Sequence, residues 1–134
     1  MIDGTAIVTT LDNDLIHLDF RTNELKETKI LNNVKKVCVP DYGGILILDQ
    51  SNTLYGYGEN STGKFGTGES GNILNTAVVL KNDVKNIFSG KTYSGNASFV
   101  ITQDGRLYGA GSNERGALGI PDQKSVKEFK QIDY

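Results

Sequence analysis

The chain of 134 residues has one cysteine, Cys38, and one histidine, His17. A lone cysteine excludes an intrachain disulfide and any cysteine-based zinc site, and a reducing compartment is permitted rather than shown. A lone histidine, with no G-x-S-x-G elbow, leaves little from which to place a base beside a nucleophile. Carboxylates such as Glu59, Glu69, Asp104 and Glu114 are scattered, so no catalysis is expected. Positive charge is not in excess either. Fourteen Lys and Arg stand against 16 Asp and Glu, for a formal net charge of −2. That balance excludes the basic footprint of nucleic-acid or acidic-membrane binding. The longest apolar runs, 44–48 and 77–80, are far too short to span a bilayer. The opening "MIDGTAIVTT" has no basic region followed by an apolar stretch, so no signal peptide is expected. The compartment is unassigned, cytoplasmic by default. No stretch of ten or more residues carries convincing helical periodicity.

What the chain does have is glycine, 16 residues against two prolines. Glycine at that level, without collagen-like or low-complexity period, points to many tight turns between short strands. The chain reads as all-β. Internal repetition supports this. "AIVTTLDNDLIHL", "GILILDQSNTLYGYG" and "SFVITQDGRLYGAG" each run apolar, polar turn, apolar, with the second run opening on Leu15, Leu54 or Leu107. Two residues before each leucine stands Asn13, Asn52 or Gly105, the residue types that best tolerate the positive φ of a tight hairpin. A second signature also recurs three times: Val34-Lys-Lys-Val37, Val84-Lys-Asn-Ile87 and Phe129-Lys-Gln-Ile132. It alternates as the start of a strand would. The hairpins lie 39 and 53 residues apart, and the shorter first unit lacks the glycine loop of the other two. Three units are expected, approximately 4–40 (divergent), 44–90 and 97–134, forming one β-repeat domain.

The loops "GYGENSTGKFGTG" and "GAGSNERGALGIP" share a frame at a constant offset of 53. Gly58, Asn60, Gly63 and Gly66 correspond to Gly111, Asn113, Gly116 and Gly119. A strand ending in an aromatic-glycine pair, then G-x-N-x-x-G-x-[LF]-G, then a variable loop and a V-x-x-I strand, resembles the repeat of the regulator of chromosome condensation family. The match is strongest over 44–134 and weaker over 5–39. The resemblance implies β-propeller blades of roughly 50 residues each. Tyr57 and Ala110 stand where family repeats usually have tryptophan, and the family's G-x-x-H element has no histidine here. About three units make an incomplete ring, which leaves apolar faces and strand edges bare. An oligomer, or a longer chain that completes the propeller, is expected.

From Gly58, "GYGENSTGKF" (56–65) spells G-x-x-x-x-G-K, close to a phosphate-binding loop. That chemistry needs a strand before, a helix after, and Ser or Thr beyond the lysine. Phe65 follows Lys64, Gly66 and Gly68 disfavour a helix, and Ala117 replaces the lysine in the second loop. The repeat reading is preferred, and no cofactor is expected. Asp12, Asp14, His17 and Asp19 are close enough to suggest a metal, but the hairpin turn accounts for the same register, so no metal is expected.

Recognition remains. Side chains on loops held by a rigid β scaffold are the natural carriers of binding. Glu59, Asn60, Thr62, Lys64, Glu114 and Arg115 are the candidate partner-binding residues. Gly58, Gly63, Gly66, Gly111, Gly116 and Gly119 are the structural repeat glycines. The function expected is a non-catalytic protein–protein interaction or assembly module, with a protein partner and neither nucleic acid nor membrane. The resemblance leaves three alternatives open: guanine-nucleotide exchange on a small GTPase, an enzyme-inhibiting propeller, and a structural subunit of a cell surface or virion. Tyr55 and Tyr108, at one repeat position, are expected to pack between blades, and Cys38 to be a small buried thiol.

Overall fold

The computed structural model describes residues 4–40, 43–92, 95–113, 116, 118–120 and 124–133. Among them, eleven strands form three antiparallel sheets. Sheet one holds β1 (Thr5–Thr9), β2 (Leu15–Asp19) and β3 (Lys26–Leu31). Sheet two holds β4 (Val34–Cys38), β5 (Gly44–Asp49), β6 (Leu54–Asn60) and β7 (Asn72–Lys81). Sheet three holds β8 (Val84–Thr92), β9 (Gly95–Thr102), β10 (Leu107–Ser112) and β11 (Ser125–Ile132). Each sheet is a meander in chain order.

The meander follows from local turn chemistry repeated three times. The hairpins β1–β2, β5–β6 and β9–β10 each close on a three-residue loop whose last residue has positive φ: Asn13 (64°), Asn52 (65°) and Gly105 (85°). The amide of that residue donates three positions back, to the carbonyl of Thr10, Asp49 or Thr102, at 3.0, 3.1 and 2.9 Å. This is the type I turn with a left-handed third residue whose twist suits a hairpin. The same residue also joins neighbouring sheets. The Asn13 carbonyl accepts the Val34 amide that opens β4, and the Asn52 carbonyl accepts the Val84 amide that opens β8, both at 2.9 Å.

Sheets follow one another through two-residue connectors, Asn32-Asn33 and Asn82-Asp83, with positive φ at Asn33 and Asp83. The Val34–Val37 and Val84–Ile87 signatures are thus the first strands of sheets two and three. The third occurrence differs. Phe129–Ile132 lies at the end of β11, the last strand of sheet three, where Ile132 faces Leu107 as Lys81 faces Leu54. The apolar-Lys-polar-apolar alternation suits an outer strand equally well, because any half-buried strand has period two.

Alternation along β5 explains the continuous run "ILIL". Ile45 and Ile47 point to sheet one and are packed with Leu15, Val34, Ile7, Tyr55 and Tyr57. Leu46 and Leu48 point to sheet three, packed with Leu54, Phe65, Val84, Ile87 and Val100. A strand covered on both faces needs apolar residues throughout. Tyr55 lies in the first layer and Tyr108 in the second, so both pack between sheets. Cys38 is half-buried against the second layer. Burial pushes its thiol above the ordinary range, and Sγ donates to the Ile87 carbonyl at 3.7 Å. A neutral, partly covered thiol is unreactive by the usual criterion.

Candidate functional site

The two glycine loops leave the same end of β6 and β10, and an asparagine side chain organises each. Asn60 is fully buried. Its Oδ1 accepts the Phe65 amide at 3.1 Å, and its Nδ2 donates to the Glu69 carbonyl and to Asn72 Oδ1, each at 2.9 Å. Asn113 repeats the pattern, accepting the Leu118 amide at 2.8 Å and donating to the Ile120 carbonyl at 2.6 Å. Backbone turns match as well: Gly66 donates to Gly63, and Gly119 to Gly116, at 3.0 and 2.8 Å. All six repeat glycines have positive φ, between 67° at Gly66 and 114° at Gly111.

This architecture corrects part of the candidate list. Asn60 is a clamp inside the loop, not a surface contact. Lys64 is also fully buried. Its Nζ donates to the Glu59 carbonyl at 2.6 Å and lies 5.1 Å from the centroid of the Phe65 ring. A buried ammonium persists only where hydrogen bonds and an aromatic face replace its water. The lysine that imitates a phosphate loop therefore closes its own loop. Thr62 is half-buried and donates through Oγ1 to the Asn96 carbonyl at 3.0 Å, tying the loop of sheet two to the start of β9. Glu59 is exposed, although its amide bonds to the Gly43 carbonyl at 2.7 Å. Glu114 and Arg115 lie outside the described residues.

The loop of sheet two is a wedge between blades. Phe65 is buried among Leu46, Leu54, Ile87 and Val100, with Phe129 against the same cluster. Gly68 donates to the Lys127 carbonyl at 2.8 Å, and Thr67 bridges Glu128 on β11. One consequence is testable. Asn60→Ala leaves a buried amide at Phe65 and a carbonyl at Glu69 without partners, so it is expected to cost about 2–3 kcal/mol. Urea denaturation should show a lower midpoint with an unchanged slope.

The aspartates near His17 do not converge on a cation. Asp14 pairs with Lys29 at 2.8 Å and Asp19 with Arg21 at 2.6 Å. The Arg21 guanidinium holds the Asp19 carboxyl well below the usual carboxylate range. His17 Nδ1 lies 3.2 Å from the Tyr57 hydroxyl in the layer between sheets one and two. Among the described residues no group of three His, Cys, Asp or Glu could hold a metal ion, and no helix is long and apolar enough to cross a membrane.

No protein-family model matches the chain. Among curated proteins it is similar to the X-linked retinitis pigmentosa GTPase regulator of Canis lupus familiaris, at 31% identity over 91 residues. The Mus musculus protein of the same name is 34% identical over 91 residues. Each alignment takes in 66% of this chain and spans only 9% of the relative's length. Among solved structures, human WBSCR16 superposes with a TM-score of 0.75 at 18% identity, covering 98% of this chain and 37% of that one. Yeast RCC1 (Prp20) bound to Kap60 gives 0.71 at 19%, covering 98% of this chain and 34% of the other. Prp20p from Saccharomyces cerevisiae, described with its binding properties to Gsp1p and histones, gives 0.73 at 16%, covering 100% and 37%. At these identities the structural likeness speaks for fold. The three sheets are β-propeller blades of this type, and they do not close a ring.

Proposed function

We propose that the chain, whose three sheets are propeller blades of the regulator of chromosome condensation type, is a non-catalytic protein–protein interaction module. The observation that carries this reading is the repeated loop frame. Two buried asparagines and positive-φ glycines set the same backbone frame at the described positions of both loops, while the residue types between those positions differ from unit to unit. Preorganised backbone with variable side chains lowers the ordering cost of association. Glu59, Glu114 and Arg115 are the residues proposed to meet the partner. Lys64, Asn60 and Thr62 support them from within. Neighbouring sheets or subunits complete the arc.

A second reading, guanine-nucleotide exchange, is favoured by the relatives named as GTPase regulators and by the neighbour described with Gsp1p. Immobilised chain presented with Gsp1p, Kap60 and purified histones tests both. The expected result is saturable binding to at least one of them, weakened about tenfold by Glu59→Lys or Arg115→Glu, with the melting temperature unchanged. Absence of binding, or binding indifferent to both substitutions, would defeat the interaction reading. Failure to accelerate release of labelled GDP from Gsp1p removes the exchange reading.

A further inference from the structure

The contact between blades repeats along the chain, and each end of the arc retains one half of it. Sheet two meets sheet three through Leu46, Leu48, Leu54 and Phe65, all buried. On sheet three the same repeat positions are Phe99, Ile101, Leu107 and Leu118, and among the described residues no sheet packs over them. Phe88, at the position of Cys38, is 41% exposed there. The other half of the contact is the face that receives the preceding blade. Sheet two offers Ile45, Ile47, Tyr55 and Tyr57 to sheet one. The same positions on sheet one are Ala6, Val8, Ile16 and Leu18, again without a described sheet against them, and Val8 is 39% exposed.

The geometry points to a second copy of this chain as the occupant of both faces. Sheet one of one copy seats on the far face of sheet three of the other, as sheet three seats on sheet two within the chain. Three features commit to this occupant. The proposed interface continues one the chain already makes internally, and one chain carries both of its complementary halves. Head-to-tail contacts of this kind close into rings when the rotation allows. Two copies bring six blades, inside the roughly four to eight of closed propellers. The net charge of −2 per chain opposes association little. The inference rests on the assembly side of the function proposed above.

Light scattering on the 134-residue chain is expected to give twice its 14.6 kDa at micromolar concentration. Phe88→Lys places on the sheet-three face a charge that the Lys36 ammonium, 4.6 Å from the Phe88 ring centroid, cannot neutralise, and Val8→Asp places one on the sheet-one face. Each variant alone should be a monomer with native circular dichroism. Mixed together they should regain a dimer, because each retains the half that the other has lost. Leu11→Asp, at a fully exposed turn tip, should remain dimeric. A monomeric parent chain, variants that dimerise unaided, or a mixture that stays monomeric would each overturn the proposal. Glu59→Lys should leave the dimer intact, so loss of self-association and loss of partner binding are read separately.

Discussion

Phe65→Ala is expected to cost about 3–5 kcal/mol, the range for a large aromatic removed from a close-packed site. Phe65 has no exposed surface, and it is the one residue of the glycine loop that reaches into the layer shared by sheets two and three. Neither sheet can collapse into the space, because Leu46 and Leu54 are held by strand pairing on one side and Val100 on the other. Leu118 supplies the control. It occupies the same repeat position on sheet three and is equally buried, but its neighbours Ala97, Val126, Phe99 and Ile120 all belong to its own blade and loop. In the monomeric Val8→Asp chain, Leu118→Ala should cost less than Phe65→Ala, about 2 kcal/mol, the low end for a buried leucine. Urea midpoints of the two variants measure the difference. Equal costs would mean that the Phe65 side chain adds nothing to joining the blades beyond what it contributes within its own.

The parts of this fold that could be read in the sequence are those set by local backbone chemistry. Asn13, Asn52 and Gly105 announce positive φ because few other residue types accept it, and they stand at one register before Leu15, Leu54 and Leu107. The glycine loops were legible for the same reason. The fate of polar side chains inside those loops was not. Lys64 is spelled like a surface residue, and its burial depends on the Glu59 carbonyl and the Phe65 ring arriving together, which is tertiary information. Asn60 had a usable signal: it recurs at Asn113 in step with the glycines, which marks a member of the frame. The Phe129–Ile132 signature was misplaced because alternation is common to every half-buried strand. Its spacing was informative, since it lies 45 residues beyond the second copy whereas the first two are 50 apart.

Gly58→Ala is expected to cost about 4 kcal/mol or more, a loss that belongs to the exceptional class for a single methyl group. Two effects combine. Gly58 has φ of 93°, where a side chain is strained by about 1–2 kcal/mol. A Cβ there would also collide with the carbonyl oxygen of Gly43 and stand 3.2 Å from the Gly44 Cα. Those obstacles are backbone, so no rotamer change relieves them; the start of β5 must move away from β6, where Gly44 pairs with Gly58. Gly105→Ala separates the two effects. Its φ is 85°, and a Cβ would meet nothing within 4 Å, so only the conformational strain remains. The expected order is therefore Gly58→Ala well below Gly105→Ala in denaturant midpoint, with Gly111→Ala resembling Gly58→Ala because its Cβ would strike the Asn96 carbonyl. Equal effects at 58 and 105 would show that close approach of the strands does not hold the loop. Displacing β5 also releases the Glu59 amide from the Gly43 carbonyl. Partner binding should then fall at temperatures where the rest of the blade remains folded, while Gly105→Ala, at the opposite end of the strands, leaves it unchanged.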